Sequence, residues 1–490
     1  MKYLFTLSCL CGIALLPLRA VEFTLVAYNV ENLFDVDGRA LFDDYRQDDP
    51  ENPFAYTREK LWTKLRNTAT VLKTVNDGAG PEIILFQELE GDFTPESTAG
   101  PIDAFLEEYS GTTVEAMLGE DWRPEYAGFS AAAWLAKTLA DAGLGPYEVV
   151  VGAAKPAELD IAHVNAVFST FPIRSAEFHP IEQARDIAEV EIEIEGRSLW
   201  VYNNHWKSGA SNPAREPIRV QNAEVQRTLV DARLAEDPAV DLIVGGDLNS
   251  HYNHSRIFPD IKTGMNTVLK SDSDETFADS DLYNLWFELP PEERYSEVWR
   301  GRKGTLMHLI LSPGLYDDAG INYVDGSFAV LQLPGINTDA LGRPLDWSFA
   351  GRAGGGFSDH FPILARFTTD PFRPDGELNT GEEAPDFEFP LLPSEELLED
   401  LPDGAFLGEV PDSELGPYIG KLYEIEARVI QANPVFLQVG DSRWSAYSFD
   451  PEILEELRES ADEDSEETLE LVVSLGIWKG KRQFIVEVLD

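Results

Sequence analysis

One run of nine residues sets the terms for this chain: Leu242-Ile243-Val244-Gly245-Gly246-Asp247-Leu248-Asn249-Ser250. A short apolar stretch closed by glycines predicts a buried strand, with Asp247 and Asn249 at its C-terminal lip. Alternate residues of an extended segment share a face, so the carboxylate and the amide can address one pocket. The two glycines allow close backbone approach there. Such a pair suits holding a water and a phosphoryl oxygen; an Asx turn that merely closes the strand has the same sequence.

The chain has 490 residues, 43% hydrophobic, enough for one large domain and a second small one. Its formal net charge of −50 repels polyanions at long range and argues against a broad basic groove for nucleic acid. A phosphate ester remains an acceptable substrate, because a divalent cation reverses the local sign. Met1-Lys2, an apolar run to Leu18 and Arg19-Ala20 read as a signal peptide over 1–20, which predicts a secreted or periplasmic protein. Both cysteines, Cys9 and Cys11, fall inside it, so the processed chain would have neither disulfides nor thiolate chemistry. No other run reaches membrane-spanning length, and no stable membrane insertion is expected.

Strands are expected at 23–30, 83–86, 147–151, 164–169, 188–194, 199–203, 242–247, 305–311 and 361–367. Helices are expected at 57–75, 131–142 and 219–234, and 91–128 reads as an irregular acidic insertion. The mixture of strands and helices over 21–370 indicates an α/β sandwich with outer helices. Residues 371–404 are rich in Pro, Glu and Asp and form an acidic linker. Five short strands and one helix in 405–490 are compatible with a small β-rich barrel of OB type, whose partner the sequence does not identify.

Polar residues recur where apolar runs end: Asn29 and Glu31, Glu88, Asn203 and His205, Asp247 and Asn249, Asp359 and His360. An acid at one strand end is commonplace; the set is not. Hard oxygen donors without cysteine favour Mg²⁺, with Mn²⁺ or Ca²⁺ as alternatives. Two histidines beside carboxylates supply acid–base capacity near neutral pH.

In this order and spacing, VAYNVENLF, ILFQELE, NNHWKSG, VGGDLNS and SDHFPI resemble the endonuclease/exonuclease/phosphatase superfamily over about residues 22–368. The resemblance implies a four-layer, deoxyribonuclease I-like α/β sandwich with its site at one edge of two packed sheets. It implies Glu88 as principal metal ligand, with Asn29, Glu31 and Asp359 around the metal. Asp247 would orient or deprotonate the attacking water, Asn249 would hold the phosphoryl oxygen, His360 would stabilise the transition state, and His205 would contact the phosphate or the leaving oxygen. Asn203, Lys207 and Asn165 are the expected substrate-binding residues.

One departure stands out. The family places Asp-His on the strand near Thr305, the Asp pairing with the catalytic histidine, whereas here Met307 precedes His308. An unpaired His360 would be poorly oriented and harder to protonate, unless a carboxylate from another loop takes over. His251 and His254 read as loop surface, His308 as sheet packing, and Arg219 as either a phosphate contact or a surface group. The implied function is an exported, divalent-metal-dependent phosphodiesterase, an extracellular nuclease first of all, with nucleic acid as the phosphodiester partner. A phospholipid or inositol-phosphate phosphoesterase is the alternative, disfavoured because no aromatic hairpin for docking on a membrane is evident. A catalytically weakened surface binder is the other.

Overall fold

The computed structural model describes residues 20–42, 54–92, 101–273, 277, 282–349, 351–374, 395–411, 414–461, 468–478 and 481–489. The expected signal peptide (1–19 of it) and residues 375–394 of the expected linker lie outside them.

In chain order the elements are β1 (Glu22–Leu33), α1 (Arg58–Leu72), β2 (Ile83–Glu90), α2 (Ile102–Glu108), α3 (Val114–Leu118), α4 (Ala131–Asp141), β3 (Glu148–Val151), β4 (His163–Ser169), β5 (Ile173–His179), β6 (Ile187–Ile194) and β7 (Arg197–His205). There follow α5 (Glu216–Glu236), β8 (Leu242–Asp247), α6 (His254–Ile257), β9 (Tyr283–Asn284), β10 (Glu297–Trp299), β11 (Arg302–Gly304), β12 (Met307–Leu311), β13 (Asn322–Tyr323), β14 (Ala329–Val330) and β15 (Ile363–Thr368). The C-terminal part holds β16 (Leu422–Ala432), β17 (Val435–Val439), β18 (Ser442–Tyr447), α7 (Pro451–Glu459), β19 (Leu469–Trp478) and β20 (Lys481–Leu489).

Two mixed sheets carry the larger part, ordered β13-β15-β1-β2-β4-β3, with β14 on β15, and β5-β6-β7-β8-β12-β9. Their facing sides bury Leu25, Leu85, Val190, Val201, Ile243 and Leu309 in one core. The outer face of the first sheet is covered by α1 and α4 through Leu61, Leu65, Trp134 and Leu135. That of the second is covered by α5 through Ala223 and Val230. Helix, sheet, sheet, helix is the resulting order of layers. Helix α1 starts where Thr57 caps the Lys60 amide, and its i, i+4, i+7 and i+11 residues Leu61, Leu65, Thr68 and Leu72 are all buried. Each such leucine contributes about 1.5–3 kcal/mol by leaving water.

Two local expectations are corrected. Strand β5 was not foreseen, because Arg174 to Glu177 on this sheet edge are exposed and read as a polar loop. Within 91–128, α2 and α3 bury Phe105, Met117 and Leu118 against the first sheet's helical layer, so this segment is structured rather than irregular.

Strands β16-β17-β18-β20-β19 close into a barrel, with β18 and β20 parallel and α7 between β18 and β19. The barrel rests on the 337–357 strap: the Ala340 amide donates to the Gly420 carbonyl, and Arg343 pairs with Asp339 and with Glu487 of β20 at 2.6 and 2.9 Å.

Candidate active site

Parallel pairing brings four strand ends to one rim: β1 with β2 places Asn29 opposite Gln87, and β7 with β8 places His205 opposite Asp247. Antiparallel β12 and β15 begin at the same rim, so the residues just before β15, Asp359 and His360, arrive there too. Glu31, Glu88 and Asn249 have positive φ values of 48°, 64° and 47°, a strained conformation for non-glycine residues that tends to gather at functional sites. Gly246, at φ 107°, cannot be replaced cheaply, since a Cβ would collide with the Asn204 backbone on β7.

At the centre, one ligand atom each from Glu88, His205 and Asp247 lies within 4.8 Å of the others. His205 Nε2 is 3.4 Å from Asp247 Oδ2 and 3.8 Å from Glu88 Oε1. Asn29 Nδ2 donates to Glu88 at 3.2 Å and Asp247 at 3.0 Å. Burial pushes Asp247 up, opposed by His360 and the Asn249 amide and reinforced by Glu88. Glu88 is burdened by burial too, but His163, Arg185, His360 and Asn29 bring it below the ordinary range. Burial, with the neighbouring cations Arg185 and His360, keeps His205 neutral. Two carboxylates, Asp247 buried and Glu88 partly buried, facing Nε2 of a neutral imidazole fit a divalent cation, which would relieve their repulsion.

The outer members of the expected metal pocket, Asn29, Glu31 and Asp359, each have partners within the protein. Asn29 Oδ1 accepts the Glu31 amide, so its NH₂ group braces the two carboxylates and its oxygen faces away. Glu31 Oε2 accepts the amides of Trp347 and Asp359 at 2.7 and 2.9 Å. It ties the strap and the Asp359 loop to β1, with buried Lys64 as the nearby cation. Asp359 Oδ1 sits 2.8 Å from His360 Nδ1, on the far side of that ring from Asp247.

That last bond answers the question raised by Met307. Met307 is buried opposite Asp247 in the β8–β12 register and packs in the inter-sheet core. His360 is nevertheless oriented, by Asp359 on Nδ1, and its Nε2 lies 3.8 Å from Asp247 Oδ2, buried and without a hydrogen-bond partner. Burial alone would depress His360, but Asp359, Asp247 and Glu297 more than offset it and hold the ring protonated, well above its usual range. Glu297 was not singled out from sequence. It buries its carboxylate beside Met307, accepting the Leu306 amide and the Ser296 hydroxyl, and its backbone bridges to His360. Burial pushes it up to about 7, against the pull of His360. A Cβ at Gly304 would fall on this carboxylate, so the glycine makes its room.

Arg185, also missed, comes from the polar loop between β5 and β6. It donates to His163 Nδ1 at 2.7 Å, and His163 Nε2 contacts Asn32 Oδ1 at 2.8 Å. Its buried Nε has no partner, and the charges of Glu88 and Asp247 oppose the effect of burial on it.

The asparagines expected to bind substrate, Asn203 and Asn165, both donate to backbone carbonyls. Asn203 donates to the Phe86 and Ala166 carbonyls and accepts from Gln87, which joins the sheets. Asn165 donates to the Asp186 and Asn203 carbonyls, holding the Arg185 loop. Asn249 faces the site, with its amide N–H on Asp247 Oδ1 and its side chain on the Trp206 carbonyl. Lys207 is half-buried near Arg185 and Arg215, whose charges, after burial, lower its pKa. Arg219 is buried and paired with Glu216, hence no phosphate contact. His254 is buried on the same Glu216, and His251 accepts the Thr305 amide, so neither is loop surface.

The hairpin formed by β10 and β11 carries an exposed aromatic side chain that the sequence reading did not single out: Trp299 on it is 62% exposed. Among the described residues, no helix is long and apolar enough to cross a membrane.

Residues 163–368 match the model of the Endonuclease/Exonuclease/phosphatase family. No curated protein matches the chain. Among solved structures, it is similar to truncated Caenorhabditis elegans TDP2, at 14% identity over 71% of this chain and 97% of that one, TM-score 0.37. SmcL is similar at 16% identity, 71% and 99% coverage and TM-score 0.38. An endonuclease/exonuclease/phosphatase family protein from Bacteroides thetaiotaomicron is similar at 13% identity, 72% and 99% coverage and TM-score 0.36. The segment that matches the family model, residues 163–368, runs from β4 to β15 and holds three of the five ordered motifs, NNHWKSG, VGGDLNS and SDHFPI.

Proposed function

We propose that this protein is an exported, divalent-metal-dependent phosphodiesterase that cleaves nucleic acid outside the cell. The observation that carries the reading is the meeting of Glu88, His205 and Asp247 beside a protonated His360. Mg²⁺, or Mn²⁺ or Ca²⁺, held by Glu88 and its neighbours would supply Lewis-acid charge to a phosphoryl oxygen. The chain's own groups do the rest. Asp247 accepts a proton from, or orients, the attacking water, and the Asn249 side-chain NH₂, anchored through one N–H on the Trp206 carbonyl, offers its other N–H to the phosphoryl group. His360 offers Nε2–H to the oxygen on which charge develops, held in that attitude by Asp359. Arg185, whose charge reaches Glu88 and Asp247, adds a second cation, and half-buried Lys207 near it a third.

Export rests on the Met1–Ala20 segment, and the barrel's strand order with its helix between the third and fourth strands supports an OB-type module. Purified protein with Mg²⁺ should hydrolyse DNA or RNA in preference to sphingomyelin or inositol phosphates. A folded protein that hydrolyses no phosphodiester with any of the three metals would sink the proposal.

A further inference from the structure

We propose that the β10–β11 hairpin is a substrate-docking arm, on which a base of a single-stranded polynucleotide stacks against Trp299 while Arg300 meets the adjoining backbone phosphate; this rests on the phosphodiesterase reading above.

Position is the first argument. The root of the hairpin is fixed in the active site: Glu297 bridges to His360, and Ser296 is bonded to the Phe361 and Met307 amides at 2.6 and 3.2 Å. Residues two apart on a strand share a face. Glu297 buries its carboxylate against the Leu306 amide and the Ser296 hydroxyl at the root, and Trp299, two residues on, stands on that same face about 7 Å further out. The pairing of Glu297 with Gly304 and Trp299 with Arg302 completes the surface, an inner rung cleared by glycine and an outer rung of indole and guanidinium.

Chemistry is the second. Among the described residues Trp299 is the most exposed of the large hydrophobic side chains, and its ring carries the Arg300 guanidinium 5.5 Å from its centroid. The turn is tight, Arg300 and Gly301 both having positive φ at 52° and 75°, so the tip is short and stiff rather than a floppy loop. Arg300, Arg302 and Lys303 fall within four residues of a chain that carries 88 acids against 38 lysines and arginines. An aromatic platform with cations beside it suits a base and its phosphate, and stacking tolerates any base. The overall charge of −50 disfavours a long duplex lying across the surface, and one ring with a few cations matches a single strand instead.

The test compares wild type with Trp299→Ala, Trp299→Leu and Trp299→Tyr on a short single-stranded oligonucleotide, on methyl p-nitrophenyl phosphate, which has no flanking base, and on sphingomyelin-containing vesicles. Loss of one stacked base predicts a fall of about 5- to 150-fold in kcat/KM on the oligonucleotide for Ala and Leu. Tyr should recover most of it, and the small diester should be unaffected. An equal loss on the small diester would mean that Trp299 acts through Glu297 and His360, which overturns the docking arm. A loss confined to vesicles, with Leu as good as Tyr, would make the hairpin a lipid contact and overturn it equally. Binding of a fluorescent oligonucleotide in EDTA keeps the outcome independent of catalysis. If wild type hydrolyses nothing, the phosphodiesterase reading fails, yet a matching loss of affinity in Trp299→Ala still supports the arm, and unchanged affinity overturns it.

Discussion

Two clusters in this molecule offer a cation the same kinds of donor. Glu88, His205 and Asp247 meet at the rim between the sheets; Glu177, His179 and Glu189 meet on neighbouring strands β5 and β6. In the second, Glu189 is already satisfied: it contacts His179 Nε2 at 2.6 Å and accepts from Tyr202 at 3.0 Å and from Arg233 at 2.7 Å. Arg233 in turn lies over the Trp200 ring, and Glu177 points into solvent. In the first, a buried and a partly buried carboxylate share one asparagine NH₂, His205 Nδ1 has no partner, and no guanidinium pairs directly with either acid among the described residues. Donor identity is therefore a poor guide. Binding capacity left unsatisfied in a buried place is what separates a reactive centre from a surface ion-pair network.

The sharpest way to break the contrast is to remove one acid from each. Glu88→Gln should lower kcat on any phosphodiester by about 10³-fold or more, equivalent to about 4 kcal/mol of transition-state stabilisation, in a protein that still folds. Glu177→Gln should leave kcat within twofold. Steady-state rates on both variants decide it, and comparable losses would erase the distinction.

Cation binding should follow the same division. A divalent ion at 100 times its Kd stabilises a one-site protein by about 2.7 kcal/mol. Denaturant unfolding with and without Mg²⁺ or Mn²⁺ should show that gain in wild type and in Glu177→Gln, and not in Glu88→Gln. A gain that disappears with Glu177 instead would move the metal to the β5–β6 cluster.

The second cluster earns its place through stability. Arg233 is about a quarter exposed, so its pair with Glu189 is partly screened. Glu189→Gln should therefore cost about 1–2 kcal/mol of unfolding free energy rather than the larger penalty of a dry ion pair, with activity unchanged. Reduced kcat without reduced stability would contradict this.

The contrast also explains what could be read from the sequence. Glu88, His205, Asp247 and His360 follow apolar runs, and strand ends are where a sheet presents side chains, so their nomination needed only periodicity and order. Asn203 and Asn165 sit at equally promising ends, yet their amides are occupied by carbonyls of the facing sheet, which no one-dimensional pattern reveals. Arg185 reaches the pocket from PIEQARD, a stretch indistinguishable from solvated loop. The inter-sheet core was legible because its strands are almost wholly apolar; edge strand β5 was not, since most of its side chains face water.

Glu297 is the hardest case, and it yields the smallest and most specific prediction. Its segment, Tyr295 to Trp299, gives no hint of a buried acid; the burial comes from Gly304 across the hairpin and Ser296 beside it. A carboxylate raised to about 7 holds its proton in the folded state where the unfolded chain has released it. Wild type should therefore lose stability as pH rises from about 4.5 to about 7, and Glu297→Gln should flatten that part of the unfolding profile. Above this window Glu297 is an anion that helps keep His360 protonated. Its removal should shift the alkaline limb of kcat downward, by about one pH unit or less, with kcat at the optimum changed by less than about tenfold. The Asp359 bond to Nδ1 persists in that variant, so a collapse of activity at every pH would mean that Glu297, and not Asp359, orients the histidine.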